Sequence, residues 1–165
     1  MLIRKIKPED AENFQNMLLE LDRETTFMMF EPGERIRNIE KTRERIINIS
    51  KVGNLILVAV ADNNIAGFLS AERGGPNRIK HTAYIVTGVR KDYQGKGIGS
   101  AFFKELDIWA AENNITRLEL TVMCPNTIAR NLYEKNGFVI EGVKKHAMIV
   151  NKEYADEYYM AKLYD

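Results

Sequence analysis

Val89-Arg90-Lys91-Asp92-Tyr93-Gln94-Gly95-Lys96-Gly97-Ile98-Gly99-Ser100 joins two segments of different periodicity. Before the glycines, His81–Val89 is rich in β-branched and aromatic residues, as a strand requires. After them, Ile98, Phe102, Leu106 and Trp109 recur at helical spacing until Asn113-Asn114. Three glycines within five positions let the backbone approach a ligand with no Cβ atoms in the way. The first N–H groups of a helix have no partners inside it, so an anion can occupy that end. Arg90, Lys91 and Lys96 add positive charge. Together these features describe a phosphate or pyrophosphate site; the plainer alternative is a glycine-rich turn that only enters a helix.

Spacing excludes two kinds of nucleotide loop. A dinucleotide fold requires Gly-x-Gly-x-x-Gly, whereas the glycines here stand at Gly95, Gly97 and Gly99. An ATP-type loop requires Gly-Lys-Ser/Thr after its second glycine, and Ile98-Gly99-Ser100 has no such lysine.

Towards the N-terminus, Leu2–Ile6 alternates as a short strand, and Pro8 with Glu9 and Asp10 opens a first helix carrying Phe14, Met17, Leu18 and Leu21. A second helix is predicted over Arg35–Ser50, with Ile36, Ile39, Ile46 and Ile49 inward. Leu55–Ala61 and Ile65–Glu72 form a hairpin turning at Asn63-Asn64. Towards the C-terminus, Leu118–Val122 alternates as a strand, and Pro125-Asn126 starts a helix that Gly137 ends. Phe138–Val150 and Tyr154–Tyr164 form a long hairpin turning near Asn151-Lys152. The predicted order is βααβββαβαββ: one α/β domain over residues 1–165. Its sheet is mixed, twisted and mostly antiparallel, flanked by helices, with one right-handed strand–helix–strand crossover.

The bulk composition excludes other classes. At 165 residues, 45% hydrophobic and 28% charged, the chain suits one soluble globular domain. A formal net charge of +1 gives no support to nucleic-acid or polybasic membrane binding, and basic–aromatic interleaving is lacking. The single cysteine, Cys124, leaves no intramolecular disulfide, and no stretch reaches the roughly 20 apolar residues of a membrane span. The expectation is a cytoplasmic domain with neither nucleic-acid nor membrane partner. Cys124 has no identifiable base nearby and reads as a small packing residue.

Gln94-Gly95-Lys96-Gly97-Ile98-Gly99 resembles the acyl-CoA loop of the GNAT superfamily, Gln/Arg-x-x-Gly-x-Gly/Ala. A second block, Asn126-Thr127-Ile128-Ala129-Arg130-Asn131-Leu132-Tyr133-Glu134-Lys135-Asn136-Gly137-Phe138, resembles the superfamily's other signature, Asn-x-x-Ala-x-x-Leu-Tyr-x-x-x-Gly-Phe. Glu141–Lys144 and Tyr154–Met160 resemble the bacterial branch of ribosomal-protein and polyamine N-acetyltransferases. The likeness covers most of Ile79–Met160; the preceding residues match only in the order of elements.

That resemblance implies an enzyme that transfers acetyl from acetyl-CoA directly to an amine, with acetyl-CoA as co-substrate and no metal. It implies that His81–Val89 and Thr116–Val122 splay into a V at a bulge, with the pantetheine between them. Gly88 and Val89 would hold its amides, and the Val89 N–H would polarise the thioester carbonyl. Arg90 and Gln94–Ser100 (Gln94, Gly95, Lys96, Gly97, Ile98, Gly99 and Ser100) would hold the pyrophosphate. Tyr133 matches the tyrosine that protonates the leaving thiolate, though a Leu-Tyr pair at a helix end also suits packing. Asn126 matches a cofactor contact and also suits a helix N-cap.

Glu72, Glu119 and His81 are candidates for the base, each equally readable as a surface residue; ordered water is the alternative. Acceptor choice is expected in the apolar loop Thr25–Arg37, where Phe27, Met28, Met29 and Phe30 stand near Glu31 and Glu34. The expected acceptor is a protein N-terminus, a polyamine or another small amine. A catalytically silent acetyl-CoA sensor of the same fold is the rival, and a homodimer paired through the C-terminal hairpin stays open.

Overall fold

Leu55–Ala61 is apolar throughout because both of its faces are covered. Leu55, Leu57 and Ala59 belong to one buried cluster, Ile56 and Val58 to another. A computed structural model describes residues 1–165. Strand β1 (Leu2–Lys5) leads into helices α1 (Ala11–Glu24) and α2 (Ile39–Asn48). Strands β2 (Leu55–Ala61), β3 (Asn64–Arg73) and β4 (Thr82–Val89) follow. Helix α3 (Ile98–Glu112), strand β5 (Arg117–Met123), helix α4 (Thr127–Lys135) and strands β6 (Val139–Val150) and β7 (Glu153–Leu163) complete the chain. The element order is the one predicted.

All seven strands form one sheet in the order β1-β2-β3-β4-β5-β7-β6. Only β4 and β5 run parallel, joined through α3; the other neighbours are antiparallel. Strand alternation sends side chains to two layers. On one face Leu69, Ile85, Leu118 and Leu120 pack with Phe102, Phe103 and Leu106 of α3 and Tyr133 of α4. On the other, Phe68 packs with Phe14, Met17 and Leu21 of α1 and Ile46 of α2. The three large α3 side chains are fully buried, where truncation of a Phe to Ala costs about 3–5 kcal/mol.

Three boundaries differ from the sequence expectation. Helix α2 starts at Ile39, because the Asn38 side chain caps it by accepting the Lys41 N–H at 2.9 Å. Arg35 is drawn away into an ion pair with buried Asp22 at 2.6 Å, and Ile36 is 85% exposed rather than inward. The β2–β3 turn is centred one residue earlier, with Asp62 and Asn63 both at positive φ. The 310 turn Pro8–Asp10 precedes α1 proper. The β6–β7 turn lies at Asn151-Lys152 as expected, again with both residues at positive φ.

The V lies between the two parallel strands. Thr82–Tyr84 pair with Arg117–Glu119, and there the pairing stops. Strand β4 then continues to Val89 against β3 alone, while β5 continues to Met123 against β7. No bulge interrupts the β4–β5 or β3–β4 registers; the strands diverge without one, and the nearby irregularity lies between β2 and β3. A gap is left, bordered by Ile85–Val89 and Leu120–Met123.

Candidate functional site

The glycine loop stands at the open end of this gap. Gly97 caps α3 in the left-handed conformation at φ 80°, and Gly95 has φ 72°. A Cβ on either would meet nothing within 4 Å, so both face open space. The first helical bond of α3 runs from Ala101 N–H to the Gly97 carbonyl. The N–H groups from Gly95 to Ser100 therefore donate to no backbone carbonyl. Six unengaged donors in succession, at the positive end of a helix dipole, suit a pyrophosphate well.

Other members of the motif act differently from what their type suggests. Gly99 packs against α4: a Cβ there would lie 2.5 Å from Leu132 Cδ2. Ile98 is buried in the core. The Lys96 ammonium lies over the Tyr93 ring, 5.1 Å from its centroid. Ser100 is exposed. Gln94 donates its side-chain amide to the Val89 carbonyl at 3.0 Å, which ties the loop to the end of β4. The Arg90 guanidinium is taken by Glu24 of α1, at 2.9 and 3.2 Å, and the other Glu24 oxygen accepts the Lys91 N–H at 2.8 Å.

Backbone direction along β4 follows from one bond. Arg90 N–H reaches the Ala66 carbonyl at 2.9 Å, and antiparallel ladders alternate between residues that bond and residues that turn away. Val89 and Thr87, paired with Gly67 and Leu69, are the ones that turn away from β3. Their N–H groups face the gap, whereas Gly88 bonds back to β3. The missing Gly88 side chain has another reason: a Cβ would lie 2.9 Å from Leu21 Cδ1 of α1. Thr87 was not foreseen, although period-two counting from Val89 would have found it.

On the α4 side, Asn126 caps the helix by accepting the Ala129 N–H at 3.2 Å. Tyr133 is 7% exposed, edge-on to Phe103 at 5.8 Å and tilted to Phe138 at 6.0 Å. Tyr84 and Tyr164 spend their hydroxyls on Thr121 and Asp107; the Tyr133 hydroxyl has no such partner in the chain. Burial pushes the Tyr133 phenol well above the ordinary tyrosine range, and neighbouring Tyr84 adds to the shift.

Two of the candidate bases, Glu72 and Glu119, lie on the opposite face of the sheet. Glu72 is 57% exposed at its side chain and pairs with Arg45 of α2 at 2.7 Å. Glu119 accepts from Arg117 at 2.7 Å, and Arg117 also clasps Glu141 at 2.6 and 3.0 Å. His81 is exposed just before β4, and its carbonyl accepts the Thr116 and Arg117 N–H groups. Glu119 lines a cavity of about 370 Å³ with Tyr84, Arg117, Glu141 and Tyr159.

A larger cavity, about 680 Å³, opens where the segment after α1 meets the tip of the β6–β7 hairpin. Thr26 and Phe27 of the expected acceptor loop line it, with Cys124, His146, Tyr154 and Asp156. A bulge after Lys144 turns His146 to φ 51° and stacks its ring on Tyr154 at 4.1 Å. Cys124, expected as a buried packing residue, is only half-buried at this wall. Met28 packs under the loop, while Met29 is 79% exposed.

The sequence profile of the Acetyltransferase (GNAT) family matches residues 15–138. Over 111 residues the chain is 35% identical to the L-amino acid N-acetyltransferase AaaT of Escherichia coli K12, covering 65% of this chain and 67% of that protein. The crystal structure of a GNAT-family acetyltransferase from Streptococcus pneumoniae superposes with a TM-score of 0.95 at 29% identity, over 99% of both chains. A phosphinothricin acetyltransferase from Sinorhizobium meliloti, solved in complex with AcCoA, superposes with a TM-score of 0.85 over 98% of this chain and 87% of its own. At 16% identity that last likeness is one of fold.

Proposed function

The chain belongs to the GNAT acetyltransferase family and is an acyl-CoA-dependent N-acetyltransferase; from that premise we propose direct transfer of the acetyl group of acetyl-CoA to a primary amine, with Tyr133 as general acid. The observation that carries this reading is the pairing of an anion cradle with a ligand-ready gap. Six free N–H groups from Gly95 to Ser100 stand at one end of a gap into which the Thr87 and Val89 N–H groups point. A pyrophosphate at the α3 N-terminus would send the pantetheine arm down this gap, hydrogen-bonded by β4 as an added strand would be.

The chemistry then needs three things. The thioester carbonyl must be polarised as charge develops on its oxygen, which a gap-facing β4 N–H supplies; we assign this to Thr87, the donor deeper in the gap, and leave Val89, nearer the glycine loop, to hold a pantetheine amide. The amine must arrive neutral, since an alkylammonium with a reference pKa near about 10.4 has no lone pair. Its proton leaves to a carboxylate or through water, and we assign the carboxylate to Glu119, which shares a cavity with Tyr84, rather than to Glu72. Attack forms the C–N bond and leaves the nitrogen positively charged; collapse breaks C–S, the departing thiolate takes the Tyr133 hydroxyl proton, and the nitrogen's second proton passes through water to the Tyr133 phenolate, which restores the acid.

A buried phenol is a weaker acid than a free one, which would oppose that last step in water. The same dry surroundings would penalise a thiolate formed beside Tyr133 and raise its basicity as well, which narrows the difference between the two. Asn126 would serve both as helix cap and as a contact to the cofactor. The acceptor is a protein N-terminus, a polyamine or a small amine, and the relative named for L-amino acids adds that class to the test.

The experiment is acetyl-CoA-dependent thiol release against a panel of polyamines, L-amino acids, aminoglycosides and peptides with free N-termini. Amine-dependent release with an acetylated product is the expected result. Tight acetyl-CoA binding with no turnover on any amine would instead support the silent sensor.

A further inference from the structure

Glu72, Tyr84 and Glu119 form one row across the sheet. Tyr84 is in register with Glu72 of β3 on one side and with Glu119 of β5 on the other. Directly opposed residues in adjacent strands lie about 5 Å apart at Cα and project to the same face. That face is the one opposite α3 and α4, because Ala83 and Ile85 take the α3 side. The row stands at the last paired position of β4 and β5, so it closes the inner end of the V.

Beyond that position a side-chain bond continues the connection. The Tyr84 hydroxyl lies 2.9 Å from Thr121 Oγ1, two residues further along β5. Tyr84 therefore leans from one arm of the V to the other, where no backbone bond joins them, and it is 40% exposed. Both flanking carboxylates are held by arginines, Glu72 by Arg45 and Glu119 by Arg117. Tyr84 is the neutral polar group between them, and it lines the small cavity with Glu119, Glu141 and Tyr159.

The position fits the reaction. Five strand steps, about 17 Å at the usual rise, separate Tyr84 from Val89, but the Tyr84 side chain leans towards the loop end as far as Thr121, two residues further along β5, which carries its phenol oxygen towards the level of the Thr87 N–H. Tyr133 approaches from the α4 face, where its ring packs on Phe103 and Phe138. The leaving sulfur would be served from one face and the incoming nitrogen from the other.

We propose that Tyr84 is the acceptor-side residue of the site: its phenol oxygen, oriented by its hydrogen bond with Thr121, accepts a hydrogen bond from the N–H of the attacking amine. This deepens the acetyl-transfer reading and rests on it. The chemistry of the row selects an unhindered primary alkylamine. The surplus of acid in the small cavity attracts its ammonium form, and Tyr84 and Tyr159 offer aromatic faces to the cation and its stem.

The test compares wild type, Tyr84→Phe and Thr121→Val on whichever panel amine the wild type acetylates. Tyr84→Phe is expected to raise the amine KM about tenfold, as loss of a hydrogen bond to a polar substrate group does. The acetyl-CoA Kd by calorimetry is expected to stay within about twofold, and the melting temperature within a degree or two. Thr121→Val keeps the phenol but frees its orientation, and is expected to move the amine KM the same way by a smaller factor. An unchanged amine KM and kcat in Tyr84→Phe would overturn the proposal while leaving acetyl transfer intact. Loss of acetyl-CoA affinity or stability with an unchanged amine KM would reduce Tyr84 to a packing residue and also overturn it. A wild type that turns over no amine would overturn the acetyl-transfer reading and this proposal with it.

Discussion

Glu24, at the last position of α1, holds Arg90, at the start of the glycine loop, through hydrogen bonds of 2.9 and 3.2 Å from one oxygen, while its other oxygen accepts the Lys91 N–H. A carboxylate in the last turn of a helix opposes the helix dipole, so its place there needs a compensating cation. The Arg90 guanidinium provides it in a partly buried setting. This pair joins the end of α1, from which the acceptor loop leaves, to the segment that carries the anion cradle. Glu24→Gln should therefore weaken acetyl-CoA binding about fivefold, on the order of 1 kcal/mol, measured by calorimetry. The double variant with Arg90→Gln should be no weaker than the worse single one, as one shared interaction requires. Additive losses would mean that Arg90 acts on the phosphates directly.

Gly97 and Gly99 should fail in different ways on substitution by Ala. At Gly97 a Cβ meets nothing but the backbone has φ 80°, so Gly97→Ala should cost about 1 kcal/mol of strain and a larger loss in acetyl-CoA affinity. At Gly99 a Cβ would press within 2.5 Å of Leu132, so Gly99→Ala should lower stability by about 1–3 kcal/mol. Thermal unfolding and calorimetry on both variants separate the two; equal effects on both readouts would contradict the assignment.

Acid stability should depend on Asp10. The Arg4 guanidinium, at 2.6 and 2.8 Å, holds the Asp10 carboxyl below its usual range, helped by the Lys7 N–H at 2.7 Å. A folded pKa below the unfolded one means stabilisation that is present above about pH 4 and lost as pH falls through the folded value. Because the pair is partly solvated, about 1 kcal/mol is the expected size. Asp10→Asn should lower the melting temperature by about 3 °C at pH 7 and by less at pH 3. An equal difference at both values would refute the linkage.

The rate profile should lack an alkaline limb from the general acid. Burial holds Tyr133 above the ordinary tyrosine value, so its proton stays on throughout the range below about pH 10. The rate should rise with pH as the amine is deprotonated and then level. A fall in kcat between about pH 7 and 9 that disappears in Tyr133→Phe would contradict this.

Local pattern made most of the elements readable, and long-range pairing accounts for what was missed. The β6–β7 turn was legible because Asn151-Lys152 separates two strand-like runs. The apolar period overextends helix α2 because Ile36 continues it, and nothing local reveals that Arg35 is claimed by Asp22. Arg90 beside three glycines reads as a phosphate ligand, since its partner Glu24 lies 66 residues away. Glu72 and Glu119 are legible in the sequence as carboxylates near the cleft, but Tyr84 between them is not. Its importance depends on the parallel register of β4 with β5, which α3 intervenes to hide.

Acetyl transfer by this mechanism requires the Tyr133 hydroxyl. The most direct measurement is kcat of wild type and Tyr133→Phe with the best panel amine, after calorimetry has established that both bind acetyl-CoA alike. The substitution keeps the ring that packs on Phe103 and Phe138 and removes only the hydroxyl. A fall in kcat of about a hundredfold, with the acetyl-CoA Kd within about twofold, is the predicted result. An undiminished kcat would show that the thiolate takes its proton elsewhere and would contradict the assignment of Tyr133 as the acid.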